Sequence, residues 1–361
     1  MKQWQGDFDQ HSLYQLEHWF PPSEVLLFDI ETTGFSPQNT MLYLIGYCFY
    51  QNGGWKYQML FNDDGRSEYQ ILDTFLHTIS SYRILIHYNG DGFDLPYLIE
   101  KCSQYERLGL PLSGRERLTS MESVDLYKII RPYRKGLNLP DLKLTSVEAS
   151  MHLKRTDPYS GGDLIRVYRN YLQHPRTVSE EQLRLHNYED IAAMIPMLQL
   201  LHFQVLSMQH YKITNIEQTQ QNIRLLLHLE CPLPLPYNRV TPVLEFQADQ
   251  EQAVAVIPVL QGEMKHFLAD WKNYYYLPVE DRVIHKSVAA YVDPAHREKA
   301  TRQNCFLKKE GRFLPCPKGL PCPDIHLFQR EYKDALQFAD LTSIKTDRPG
   351  FWMEYLKYGI I

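Results

Sequence analysis

Val25-Leu26-Leu27-Phe28-Asp29-Ile30-Glu31-Thr32-Thr33-Gly34 decides how this 361-residue chain is read. An apolar run leads into two acids one residue apart, and Thr-Thr-Gly ends it, as in a buried strand that stops at a polar edge. Side chains alternate along a strand, so Asp29 and Glu31 share one face. Adjacent carboxylates repel and lose hydration together unless a cation offsets them, which makes a divalent metal their natural partner. A pair of solvated acids at a strand end is the plainer reading of the same residues.

Downstream, Met41 to Tyr50 is aromatic and β-branched, Gln51-Asn52-Gly53-Gly54 supplies a turn, and Trp55 to Phe61 returns antiparallel, giving a three-stranded meander. Ser67 to Ser80 carries Ile71, Leu72, Phe75, Leu76 and Ile79 at helical spacing, and Arg83 to His87 is a compact apolar strand. The pattern then predicts helices near 94–106, 122–130, 141–151, 161–173 and 178–208. After a lead-in over 1–23, residues 24–208 therefore read as one α/β core of three to five strands flanked by helices. From Tyr211 the pattern changes. Pro232, Pro234 and Pro236 interrupt regular structure, and Val243–Phe246, Ala253–Val259 and Tyr274–Leu277 look like strands. Cys305 to Leu314 reads as a hairpin turning at Lys309-Glu310-Gly311. Residues 211–361 form a β-rich C-terminal domain of unknown role.

Composition narrows the class. Apolar residues at 44% and charged residues at 22% exclude a disordered or coiled-coil chain. No apolar run approaches the ~18 residues of a membrane span, so no membrane is expected. The N-terminus lacks a secretory pattern and six cysteines are too few for a disulfide framework, which points to a reducing cytoplasm. A net charge of −5 argues against a general duplex binder. Locally, Lys101 to Leu185 holds 15 basic against 10 acidic residues.

Two further motifs carry chemistry. His87-Tyr88-Asn89-Gly90-Asp91-Gly92-Phe93-Asp94 follows a strand, turns on two glycines and opens a helix at Asp94, where an acid is either a helix cap, a metal ligand or both. His186-Asn187-Tyr188-Glu189-Asp190 begins a long apolar stretch and puts His186 and Asp190 on one helical face. An imidazole beside a carboxylate can take a proton from water near neutral pH, or form a surface ion pair without consequence.

In order and approximate separation, the three motifs resemble those of the DEDD group of 3′-to-5′ exonucleases on the ribonuclease H-like fold, over about residues 24–205. Within that group the chain looks most like the YprB-like bacterial ribonuclease H-like proteins. The resemblance implies a mixed sheet flanked by helices. It also implies that Asp29, Glu31, Asp94 and Asp190 hold two Mg²⁺ or Mn²⁺ ions, and that Thr32, Thr33 and Asn89 contact the terminal nucleotide or brace the site. Members carry Tyr four residues before the last Asp, or His five before it. Here His186 stands four before Asp190 and Leu185 five before, a mixture of the two subtypes. His186 is expected to orient or deprotonate the attacking water, while Tyr188 projects to another side of the helix.

The implied activity is metal-dependent hydrolysis of phosphodiester bonds in single-stranded DNA or RNA, from frayed or unpaired 3′ ends. The alternative is a non-catalytic nucleic-acid-binding module on the same fold. Arg131, Arg134, Lys135, Lys143, Lys154 and Arg155 are candidates to follow a phosphate backbone. In the C-terminal half, His285, Lys286, Arg297, Lys299 and Arg302 suggest either a second nucleic-acid surface or a protein-partner surface. Cys305, Cys316, Cys322 and His326 can be grouped as zinc ligands, although their spacing lacks the paired C-x₂₋₄-C pattern.

Overall fold

The computed structural model describes residues 1–321, 325–344 and 349–360. The chain divides into two units, Met1–Phe203 and Gln204–Ile361.

The first unit is built on six strands rather than three to five: β1 (Lys2–Asp7), β2 (Val25–Thr32), β3 (Leu42–Gln51), β4 (Gly54–Phe61), β5 (Ile84–His87) and β6 (Glu122–Asp125). Their order is β1-β4-β3-β2-β5-β6, antiparallel from β1 to β2, with β5 parallel to β2 and β6 parallel to β5. Two strands were not anticipated. The β1 strand lies in the lead-in and is mostly exposed, since an edge strand needs little apolar patterning. The β6 strand occupies the start of the expected 122–130 helix. Asp125, its last residue, caps the short helix that follows by accepting the Tyr127 N–H.

Helix α1 (Glu68–Ile79) buries Ile71, Leu72, Phe75, Leu76 and Ile79 against the sheet, the face its spacing dictates. Helix α2 (Asp94–Arg107) follows β5 directly. The long helix α3 (Thr177–Met197) packs on β2 and β3. By length and composition Thr177–Ser207 qualifies as a membrane span, but 72% of its apolar window is buried, as in a core helix.

The second unit is rich in strands. Tyr211–Gln218, Asn222–Val240 and Glu245–Pro258 form one antiparallel sheet. The three prolines do not break the middle strand. They fall where its pairing shifts register between His228 and Tyr237, the place in a ladder where missing N–H groups are tolerated. Phe306–Cys316 is a single strand, not a hairpin. Gly311 lies opposite Gly262 of Leu260–Phe267, so the glycine marks a cross-strand pair instead of a turn. A further helix, Pro349–Gly359, was not foreseen.

Candidate active site

Pairing of β2 with β5 brings the first motif and the second together, and the turn after β5 delivers Asp94 to the first position of α2. Asn89 adopts φ 62° and Gly90 N–H bonds His87 Nδ1 at 3.0 Å, which makes the turn tight. A Cβ on Gly90 would lie 2.6 Å from the His87 ring. Asp94 Oδ1 accepts the backbone N–H of Ile30, between Asp29 and Glu31, at 3.2 Å. Thus the second-motif acid is fastened to the strand that carries the other two.

Helix α3 closes the group from the opposite side. Asn187 Nδ2 donates to Asp29 Oδ2 at 2.8 Å, and His186 Nε2 lies 3.4 Å from Glu31 Oε1 and 3.6 Å from Asp190 Oδ2. Tyr43, from β3, donates to Glu31 Oε2 at 3.2 Å. Tyr188 points elsewhere, onto Phe8 and Tyr57.

The electrostatics register this crowding. Burial, then Asp190, Asp94 and Glu31, hold the Asp29 carboxyl well above its usual range, against the opposing bond from Asn187. Burial raises Glu31 to about 7, with the nearby imidazole opposing and Asp190 adding to the rise. Asp94 is also raised to about 7, chiefly by burial, despite its backbone hydrogen bonds. Burial pulls the His186 imidazole down, but Glu31, Asp190 and Asp157 outweigh it and set it above its ordinary value. Buried acids that disfavour one another's charge are stabilised as anions by a cation. The carboxylate oxygens suit hard divalent ions, and atoms of Glu31, His186 and Asp190 all lie within 4.8 Å of one another, so the imidazole sits beside the oxygens that would hold a cation.

Several site residues were invisible or misread in the sequence. Arg155, read as a backbone-tracking cation, is largely withdrawn from solvent at 14% side-chain exposure, and its Nη1 bonds Asp190 Oδ1 at 2.6 Å. It also contacts Glu148, Asp157 and Glu189. Asp157 contacts His186 Nδ1. Asp125 accepts the Asn89 N–H with one oxygen, while its buried Oδ2 has no hydrogen-bond partner among the described residues. Of the expected substrate-side residues, Thr32 donates to Gly34 O and Thr33 Oγ1 accepts the Met41 N–H, so both brace the turn; Asn89 is exposed. Arg134 bonds the carbonyls of Leu139 and Pro140, which leaves it little freedom to track phosphate.

Gly46 faces Asp29 across the β2–β3 pair, and a Cβ there would lie 1.9 Å from Asn187 Oδ1. Gly46→Ala is therefore expected to destabilise the protein by about 1–3 kcal/mol, the usual effect of overpacking, and to move Asn187 off Asp29. Urea unfolding measures the first effect, and an unchanged midpoint would mean that Asn187 is not wedged there.

Residues 26–202 match a family model described as the RNase_H superfamily. With its mixed sheet flanked by helices, the N-terminal unit is a ribonuclease H-like domain. Among solved structures, the family B DNA polymerase from the hyperthermophilic archaeon Pyrobaculum calidifontis is similar at 15% identity and a TM-score of 0.38, over 70% of this chain and 35% of that one. No curated protein matches the chain.

In the C-terminal unit, His285 accepts the Ser287 N–H at a helix start, and Arg297 stacks over Tyr275 while bonding the Ala289 carbonyl. Lys286, Lys299 and Arg302 are exposed. Cys305 and Cys316 are buried thiols, the His326 ring packs on His266, and Cys322 lies outside the described residues.

Proposed function

We propose that the N-terminal domain is a metal-dependent 3′-to-5′ exonuclease of the DEDD type, akin to the YprB-like proteins, acting on single-stranded DNA or RNA. The observation that carries this reading is the convergence of acids from β2, α2 and α3, with an imidazole beside Glu31 and Asp190, in a ribonuclease H-like domain. Asp29, Glu31, Asp94 and Asp190 would hold two Mg²⁺ or Mn²⁺ ions. When bound, such ions neutralise the carboxylates and the phosphate and make water a better nucleophile. Asn187 and Tyr43 aim Asp29 and Glu31, and His186 receives the proton of the attacking water. Asn89, exposed at the turn after β5, would contact the terminal nucleotide.

The site rim supports an unpaired substrate. Phe35 is 89% exposed just after the Thr32-Thr33-Gly34 turn, and its ring meets that of Phe93, the residue before Asp94, edge-on at 5.8 Å. Stacking of a base on an aromatic ring is worth ~1–3 kcal/mol. Phe35→Ala should thus weaken single-strand binding by ~10-fold while leaving the chemical step near the wild-type rate, as read by fluorescence anisotropy and single-turnover cleavage. Unaltered binding would remove Phe35 from the substrate path.

Cation binding and pH are linked. Glu31 and Asp94 titrate near 7 in the metal-free fold, above the ordinary 4.5 and 3.8. A raised folded pKa means that the folded state holds protons the unfolded chain has released. The stability these groups contribute is present in acid and lost as pH rises through about 7. Mg²⁺ or Mn²⁺ should restore it, raising Tm more at pH 8.5 than at pH 5.5; equal shifts at both pH values would count against the site.

The activity assay uses 5′-end-labelled single-stranded DNA and RNA with Mg²⁺, Mn²⁺ or chelator. A ladder that shortens from the 3′ end only with cation is expected. Internal fragments would indicate an endonuclease, and binding without cleavage would favour a non-catalytic module.

A further inference from the structure

Asp157 lies in the aperiodic segment between Ser150 and Gly161, far in sequence from the motif residues of the site. Its side chain is fully buried, and its Oδ2 is 2.5 Å from His186 Nδ1. Asp157 Oδ1 accepts the Tyr159 N–H at 3.2 Å, and Arg155 Nη2 contacts Oδ2 at 3.3 Å. An ionised carboxylate only accepts hydrogen bonds, so the proton in the Asp157–His186 contact sits on Nδ1. Arg155 Nη2 also lies 3.2 Å from Nδ1, but two donors cannot bond each other; its hydrogens serve the carboxylates. The remaining ring nitrogen, Nε2, is turned toward Glu31 and Asp190.

We propose that Asp157 is a positioning residue that fixes His186 in the Nδ1–H tautomer, so that the Nε2 lone pair faces the attacking water. The inference rests on the hydrolytic reading above. As the water oxygen bonds to phosphorus, Nε2 takes the water proton and the bond from phosphorus to the 3′ oxygen of the preceding sugar breaks. The proton then passes to that oxygen or to solvent, and Asp157 gains none. Arg155 braces Asp157 in place through its contact with Oδ2.

Asp157→Asn tests this on chemical grounds. The Tyr159 N–H calls for an acceptor, so the amide oxygen turns to it and the amide NH₂ faces Nδ1. A donor opposite Nδ1 favours the Nε2–H tautomer, which has no lone pair on the site side. The expected loss is ~10²–10⁴-fold in kcat, with KM for the oligonucleotide within about twofold. Because Asp157 acts through His186, the same substitution in a His186→Ala background should change the rate by no more than about twofold. Equal losses in both backgrounds, or none in either, would overturn the proposal while leaving hydrolysis intact. If His186→Ala alone retained the wild-type rate, the role of His186 itself would fall, and with it that of Asp157. A second readout needs neither a variant nor turnover. Nitrogen-15 spectra of histidine-labelled, metal-free wild-type protein at pH 9.5, with His186 assigned by difference, should show protonated Nδ1 and bare Nε2. The opposite tautomer would overturn the proposal.

Discussion

Asp29→Asn is expected to lower cation-dependent cleavage by at least ~10³-fold, while the metal-free protein becomes more thermally stable. Asp29 lies on the central stretch of β2, between Asn187 of α3 and the Asp94 that anchors to Ile30. Its carboxylate is disfavoured by burial and by three neighbouring acids, so removing its charge relieves repulsion in the metal-free fold. The amide oxygen can still accept from Asn187, and the shape of the site is kept. What is lost is the charge that a cation requires; catalytic stabilisation of several kcal/mol by bound ions corresponds to about three decades in rate. Single-turnover cleavage and Tm with and without cation measure both halves. A variant that cleaved within about tenfold of wild type, or that melted lower without metal, would contradict the role given to Asp29.

Arg155→Met should give the largest loss of stability, about 3–5 kcal/mol. The guanidinium serves Asp190, Asp157, Glu148 and Glu189, and the side chains of Asp157 and Glu148 are 0% and 5% exposed. Replacing such a pair wholesale by apolar residues is often harmless, but removing the cation alone leaves buried charges uncompensated. Burial opposes the charge on Arg155, and Asp190 and Glu148 more than restore it, raising its pKa. Urea unfolding decides the matter; a loss under about 1 kcal/mol would reduce the network to the weak standing of surface pairs. Cleavage should also fall, because Asp190 and the Asp157–His186 contact share this anchor.

The sequence carried the parts of the site that lie on regular elements. Val25–Phe28 is uniformly apolar because β2 is covered on both faces, and a strand of that kind fixes where Asp29 and Glu31 emerge. Asp94 was legible because a glycine-bearing turn and a helix start leave a local signature, and His186 with Asp190 because helical spacing places them together. Arg155 and Asp157 left no such trace. Their segment has no period, and their roles arise only when it folds against α3, 29 to 35 positions away in sequence. Asn187 leaves no local signature either, since nothing in its own segment reveals that Gly46 leaves it room to reach Asp29. In the C-terminal unit, Gly311 gave a turn signal that belongs instead to a glycine pair across two strands.

Asp29, Glu31, Asp94 and Asp190 are proposed to form one cation-binding centre. Titration of Mn²⁺ into metal-free protein, followed by electron paramagnetic resonance of the free ion, tests it without reference to any substrate. Two ions per wild-type chain are expected, with affinity at least ~10-fold weaker in Asp29→Asn, a change of the size that site perturbations produce. The same stoichiometry and affinity in wild type and variant would show that these carboxylates do not act as a single centre.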